Sequence, residues 1–293
     1  LPAEGMAHVA TEIATKMTRA SSLLAAPPAS LPDHIDIRCF GGFSVWYGDR
    51  EISPSDGSVA HHQAWEALAL LAAQPEGCMP KERVLDALFP GVPPDQATNR
   101  LHTTLVRLRS VVTAQAPIIT SDFVRLDRGG ACCLNRTLAR SDVQRFLELC
   151  QQGPTLDHEE AKAAYEEARK LYRADLLTGA TYEWLYNREE SGISLQERYR
   201  EDYYAAMREL ARIYRQERQH AKAAELYRAL LAAEPTLEDV AEELFRCCSA
   251  MGDRPGLVRE QRRLREALGQ MYTGQKGELG ELDAATLASA IAE

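Results

Sequence analysis

The sequence lacks the features of membrane and secreted proteins. It has no apolar run approaching the roughly 20 residues that a membrane helix needs, and no charged-then-apolar secretory signal at its start. We therefore expect a cytoplasmic protein without a membrane partner. The chain begins at Leu1 and not at a methionine, so we also expect that the natural product extends upstream or was trimmed.

The sequence also lacks the common motifs of catalysis and cofactor binding. GxGxxG, GxxxxGKT, GxSxG and HExxH are all missing. Adjacent acidic residues occur within predicted helices, where they are more typical of a solvent-exposed face than of an acid/base pair. The sequence thus predicts that the protein is not an enzyme and has no cofactor.

Metal-binding spacing is missing as well. The seven cysteines include no CxxC pair, and adjacent side chains such as His61 and His62 on a helix diverge by about 100°. We predict no metal site, and we predict reduced, mostly buried thiols at all seven cysteines. These are Cys39, Cys78, Cys132, Cys133, Cys150, Cys247 and Cys248.

A surplus of positive charge, typical of many nucleic-acid-binding proteins, is absent. The net charge is −9, and residues 151–293 contribute −7 of it while residues 35–150 are close to neutral at −1. The overall charge therefore gives no support for nucleic-acid binding, although a near-neutral half can still present a basic face.

The regular patterns begin at residue 35. Period-two segments IDIRCF, FSVWYG and REI, separated by glycine turns, predict three short strands. Three helical segments, AHHQAWEALALLAAQ, KERVLDALF and DQATNRLHTTLVRLRSVV, come next, and a predicted hairpin closes the unit. This order is typical of a winged helix with an N-terminal sheet.

From residue 141 onward the pattern predicts helices, near 157–174, 183–217, 219–233, 236–251, 254–270 and 283–292. A further helix is predicted at residues 6–25. The segment 206–235 is typical of a tetratricopeptide-like helix pair: Ala211 and Ala223 allow close approach, Tyr214 and Tyr227 fill the gap, and Pro235 ends the unit. A weaker copy follows after about 34 residues.

Three segments resemble a known family: IDIRCFGGFSV, VLDALFPGVPPDQATNRLHTTLVRLRSVV and ARKLYRADLLTGATYEWLYNREESGI. They are similar to bacterial activators of the antibiotic-regulatory type, which join an OmpR-like winged helix to a bacterial transcriptional activator domain. The resemblance covers about residues 35–270, and its most specific marker is LYRADLLTGATYEW. It implies promoter DNA and RNA polymerase as partners, a recognition helix at residues 96–109 and a wing at residues 124–133.

On this resemblance, the polar face of the third helix is the candidate for contact with base edges and phosphates. Asparagine can pair with adenine and arginine with guanine through two hydrogen bonds each. The alternative interpretation is that these residues form an ordinary solvated face of the helix. The candidate DNA-binding residues are Asn99, Arg100, Thr103, Thr104, Arg107, Arg109, Arg125 and Arg128.

The helical half is expected to carry a second, less specific surface. Aromatic and arginine side chains together can bind a peptide, a nucleotide-like effector or a partner helix, although such aromatics are more often packed between helices. The residues are Tyr182, Trp184, Arg188, Tyr199, Tyr203 and Arg208. A small-molecule or nucleotide effector and a homodimer on DNA both stay open.

The sequence therefore predicts a mainly α protein with a small β part. It would comprise an N-terminal helix and Pro-rich linker (1–34), an OmpR-like winged-helix domain (35–140) and an all-α tetratricopeptide-like domain (141–293). The expected function is sequence-specific regulation of transcription, with activation through RNA polymerase. The alternative is a regulatory scaffold or ligand-sensing module of a larger protein whose winged helix no longer binds DNA, which His61-His62, the acidic balance and the start at Leu1 favour.

Overall fold

The computed structural model describes residues 32–54, 59–127, 129–188 and 192–275. The helices expected at 6–25 and 283–292 lie outside these residues, as does Arg128. Among the described residues, no helix is both long enough and apolar enough to cross a bilayer.

A four-stranded sheet opens the described chain. Its first three strands are β1 (Ile35–Arg38), β2 (Ser44–Tyr47) and β3 (Arg50–Ile52), which pair antiparallel as predicted. A fourth strand, which the sequence patterns did not indicate, joins the edge of β1 in parallel; it is β7 (Ala139–Ser141). The edge strand beside β1 therefore comes from a segment about 100 residues further along the chain.

A winged-helix unit lies between β3 and β7. Its helices are α1 (Val59–Ala72), α2 (Lys81–Leu88) and α3 (Pro94–Gln115). Strands β4 (Cys78–Pro80), β5 (Val124–Leu126) and β6 (Ala131–Leu134) form a second, antiparallel sheet in the order β4-β6-β5. The hairpin of β5 and β6 is the predicted wing, and β4 attaches it to the start of α2.

Two of the seven cysteines differ from the expectation of reduced thiols. Cys78 of β4 and Cys133 of β6 are direct cross-strand partners, with Cα atoms 4.1 Å apart, and they form a disulfide. The separation of 55 residues hid this pairing, because only the strand register brings the two together. The other five are free thiols, four of them buried and Cys150 half-buried.

The second half is helical, as predicted. Its helices are α4 (Asp142–Gln152), α5 (His158–Leu171), α6 (Leu195–Gln216), α7 (His220–Ala233), α8 (Glu238–Ala250) and α9 (Arg254–Gln275). The helix predicted at 183–217 is wrong at its beginning: α6 begins only at Leu195, where Ser194 and Glu197 form a reciprocal capping box. Between α5 and α6 the described chain has irregular backbone, with a 3₁₀ turn at Glu183–Tyr186.

The hydrophobic core consists of two clusters. The first joins the winged helix to α4, α5, the irregular segment and the first turns of α6, from Ile35 to Tyr199. The second lies among α5, the later part of α6, α7 and α8, and includes Tyr214 and Tyr227 of the predicted helix pair. The division between the clusters runs through α5 and α6, so the winged helix and the start of the helical half share one core.

Candidate nucleic-acid interface

Helix α3 owes its orientation to its apolar stripe. Pro94 occupies the first helical turn, where a missing N–H costs nothing. Leu101, Leu105, Leu108 and Val112 recur at helical spacing and are all buried, each at most 2% exposed. The opposite face of α3 is therefore directed to solvent.

Four of the predicted contact residues share this exposed face. Asn99, Arg100, Thr103 and Arg107 are exposed, and they line a shallow cleft of about 230 Å³ together with Thr104 and with Gln63 of α1. Neither guanidinium is paired with a carboxylate within the described part of the chain. Both arginines are thus available to an anionic partner.

Two other predicted contacts are placed differently. Thr104 is only 3% exposed, because its position on α3 falls on the side packed toward α1. Arg109 donates from Nε and Nη2 to the Val124 carbonyl oxygen, at 3.2 and 3.0 Å. Thr104 therefore lines the cleft with little exposed surface, and Arg109 serves to attach α3 to the wing.

The structure adds two residues that sequence reasoning missed. Val106 lies on the same face of α3 and is 60% exposed, an unusual position for a large apolar side chain. Gln63 reaches the cleft from α1 and donates to the Leu88 carbonyl oxygen at 3.4 Å. The interruption of the polar face by valine was visible in the sequence, whereas the contribution of α1 depends on helix packing.

The wing presents one of its two predicted arginines. Arg125 on β5 is exposed, and Arg128 lies outside the described residues. Asp127, whose charge would repel phosphate, has a structural role: its Oδ1 accepts the Ala131 N–H at 2.8 Å and holds the hairpin turn. The wing therefore offers Arg125 beside a carboxylate engaged with the backbone.

The predicted effector residues do not form one surface. Tyr182 and Trp184 are buried and stack with ring centroids 5.6 Å apart, and Tyr182 lies 6.0 Å from the ring of His62 on α1. Tyr199 is fully buried, and its hydroxyl donates to the Ala73 carbonyl oxygen at 2.7 Å. These three aromatics pack the two halves together, which is the commoner use of aromatic side chains.

The remaining three effector residues are dispersed. Tyr203 stacks on Tyr172 at 4.2 Å, Arg208 forms an ion pair with Asp239 at 3.1 Å, and Arg188 lines a separate small cavity beside Trp184. Sequence proximity suggested one surface, but Arg188 lies in the irregular backbone before α6, whereas Tyr203 and Arg208 lie on α6 and contact different neighbours.

Residues 171–184, the most specific of the family markers, form the junction between the halves. The Leu177 N–H donates to the Cys39 carbonyl oxygen at 2.7 Å, and the Gly41 N–H donates to the Asp175 carbonyl oxygen at 3.1 Å. The Arg173 Nε donates to the Phe40 carbonyl oxygen at 3.2 Å. The marker thus corresponds to a segment that binds the end of β1.

Asp142, the first residue of α4, completes this junction. Its carboxylate accepts the N–H groups of Cys39 and Phe40 at 2.8 and 3.3 Å, and a hydrogen bond from Arg173 at 3.1 Å. The side chain is 6% exposed, and burial raises the pKa of the carboxyl to about 6, although all three donors favour its charged form. The residue is therefore a buried acid whose charge is satisfied across the junction.

One group of potential metal ligands occurs in the described chain, formed by His158, Glu159 and Glu217. The Glu217 carboxylate already accepts hydrogen bonds from the Lys162 ammonium at 2.9 and 2.7 Å, and this interaction lowers its pKa. The lysine supplies the positive charge that a metal ion would bring, so the group is better explained as an ion-pair network.

Comparisons with known proteins agree with this architecture. Residues 141–278 match the bacterial transcriptional activator domain, while a comparison with curated protein sequences gives no match. Mycobacterium tuberculosis EmbR, solved in complex with a low-affinity phosphopeptide, is similar in structure, with a TM-score of 0.58 and 16% identity over 87% of this chain. This chain spans 63% of the EmbR chain, and at that identity the similarity shows the fold alone. Residues 141–278 thus match a bacterial transcriptional activator domain, and the fold of the chain is similar to that of EmbR.

Proposed function

We propose that this regulator binds promoter DNA in a sequence-specific manner through the exposed face of α3. The observation that carries the proposal is the cleft formed by Asn99, Arg100, Thr103 and Arg107, with two guanidinium groups that no described carboxylate neutralises. An α-helix has the width of the major groove, where base edges present a distinct pattern for each base pair. The family to which residues 141–278 belong supports a role in transcription.

The side chains on the exposed face of α3 change in chemical character along the helix. Asn99 and Arg100 lie near its N-terminal end, where base contacts fall in helix-turn-helix proteins, and they suit adenine and guanine respectively. Val106, one to two turns further on, suits the methyl group of thymine. Arg107 and the wing residue Arg125 would meet phosphates and fix the orientation of the protein on the duplex.

The helical half would connect DNA binding to activation. We assign to it a contact with RNA polymerase in the cytoplasm, on the strength of the activator-domain match. In vitro transcription from a bound promoter with purified polymerase tests this part separately: activation lost on deleting α7–α9, with DNA binding retained, is the expected result. Equal activation by the shortened protein would contradict it.

The DNA-binding proposal is tested by selecting a site from a random duplex library and titrating variants on it. Arg100→Ala should weaken specific binding by roughly 1–3 kcal/mol and flatten the preference at one base position, because a two-hydrogen-bond contact to a base edge is lost. Arg262→Ala removes the same charge from an exposed position on α9 and should bind like the wild type.

Two outcomes would contradict the proposal. If no sequence is enriched from the library, the winged helix serves as an interaction module and the scaffold alternative is correct. If a sequence is enriched but the Arg100→Ala variant keeps the base preference of the wild type at every position, the recognition surface lies elsewhere on the molecule.

A further inference from the structure

A second basic surface lies at the junction of the two halves. It is an open groove of about 630 Å³ whose walls come from β1, β7, the turn before β7, α4 and the segment after α5. Five arginines line it: Arg38, Arg136, Arg140, Arg145 and Arg173. No described residue of α3 or of the wing hairpin contributes to it, so it is separate from the candidate DNA interface.

The charge of the groove is not balanced by its own acids. Three carboxylates line it alongside the five guanidinium groups. Three of the arginines are paired with carboxylates of the groove or its rim. The pairs are Arg136 with Glu148, Arg145 with Glu167, and Arg173 with Asp142.

The other two arginines, Arg38 and Arg140, have no carboxylate within ion-pair distance in the described structure. Asp36, the remaining acid of the groove, contacts His34 at 3.5 Å instead. Arg38 extends over the ring of Trp46, with its guanidinium carbon 4.5 Å from the ring centroid. Both side chains are exposed on adjacent parallel strands, a position where they meet solvent or a ligand.

From this arrangement we infer that the groove binds a small phosphorylated anion, with Arg38 and Arg140 as the principal contacts. Guanidinium groups match the geometry of phosphate oxygens through paired hydrogen bonds. The volume is in the range of small-molecule sites in proteins. The inference does not depend on DNA binding, and it places the effector site at the junction and not on the aromatic residues of the helical half.

The position of the groove gives the ligand a regulatory role. Its walls include Arg173 and Asp142, which join the marker segment to the end of β1. A bound anion would contact strands of the winged-helix half and helices of the activator domain at once. It would therefore stabilise the docked arrangement by an amount set by its concentration relative to its dissociation constant.

Pyrophosphate, titrated calorimetrically at constant ionic strength, tests the inference. We expect saturable binding to the wild-type protein. The double variant Arg38→Gln, Arg140→Gln should raise the dissociation constant at least tenfold, and Arg140→Lys, which keeps the charge but loses the planar fork, should raise it by a smaller factor. Arg262→Gln on α9 is the matched control and should bind within twofold of the wild type.

Binding that is not saturable, or that all variants share equally, would overturn the inference. So would a lack of pyrophosphate binding combined with weaker DNA binding by the double variant, because the groove would then be part of the DNA interface. Thermal melts of the ligand-free variants verify that each is folded, and both replaced side chains are exposed.

Discussion

At the scale of single residues, the junction depends on groups that are buried and fully paired. Asp142 accepts two backbone N–H groups from the end of β1 and one bond from Arg173. Such a carboxylate fixes the geometry of the junction, while its desolvation reduces the net stability that it contributes.

The desolvation of the Asp142 carboxylate should be detectable in the pH dependence of the free energy of unfolding. The pKa of Asp142 is raised to about 6 by burial, so the folded protein holds this proton more tightly than the unfolded chain, whose pKa is about 3.9. The group should therefore reduce the free energy of unfolding as pH rises from about 4 to 6, by up to about 3 kcal/mol. Urea unfolding of wild type and Asp142→Asn at pH 4 and pH 7 tests this, since the comparison cancels the other titrating groups. An advantage of the wild type over the variant that grows with pH would contradict it.

The Tyr199 hydroxyl is a second group whose role can be isolated. Tyr199→Phe leaves the buried Ala73 carbonyl oxygen without its side-chain donor and should lower the free energy of unfolding by about 1 kcal/mol. Tyr204→Phe is the control, because the Tyr204 hydroxyl has no hydrogen-bond partner among the described residues. Equal effects in chemical denaturation would show that the Tyr199 bond adds nothing to the junction.

At the scale of elements, the tetratricopeptide-like helices form a cluster that is separate from the junction. Tyr227 on α7 is 3% exposed within this cluster. Tyr227→Ala should cost roughly 3–5 kcal/mol and should loosen α7 and α8 before the first cluster. Hydrogen exchange resolves the two regions, and Tyr186→Ala, at a tyrosine that is 61% exposed, is the matched control. Simultaneous loss of protection in β1 would show that the clusters unfold as one unit.

Local patterns predicted most elements, because periodicity and capping act within a few residues of each other. The apolar stripe of α3 and the helix pair around Ala211 and Ala223 are examples. The strand β7 has only three residues and gains its identity from pairing with β1, so no local signal could reveal it. The late start of α6 was also missed: the helix begins at the capping box of Ser194 and Glu197, and the predicted helical start is a 3₁₀ turn at Glu183–Tyr186.

The sequence predicted the candidate site only in part. The sequence located the face of α3 but not the exposure of each residue on it: Thr104 lines the cleft but is buried, and the exposed Val106 was omitted. Helical spacing alone does not tell whether a residue beside the apolar stripe is buried or exposed. The packing of α3 against α1 determines this. The arginine groove escaped sequence reasoning because its residues come from β1 and from segments about 100 and about 135 positions downstream.

At the scale of the whole molecule, the proposed DNA binding by a protein with net charge −9 requires a local basic face. We expect affinity to fall steeply with salt, with a slope of log K against log salt of about −0.9 for each phosphate contacted, so roughly −3 to −5 for three to five contacts. Arg107→Ala should reduce the magnitude of this slope by about 1 while weakening all sequences alike. Arg262→Ala should leave it unchanged, and a salt-independent affinity would contradict the basic-face mechanism.

The shared core also sets the order of events during synthesis. The sheet that begins at Ile35 needs β7 to close its edge, and the core around it needs Tyr199, which emerges 164 residues later. At ~5–20 residues per second, a ribosome takes roughly 8 to 33 seconds to cover that distance. During this interval the apolar faces of β1 and α1 exist without their final cover, so the nascent winged-helix half depends on the rest of its own translation to complete its core.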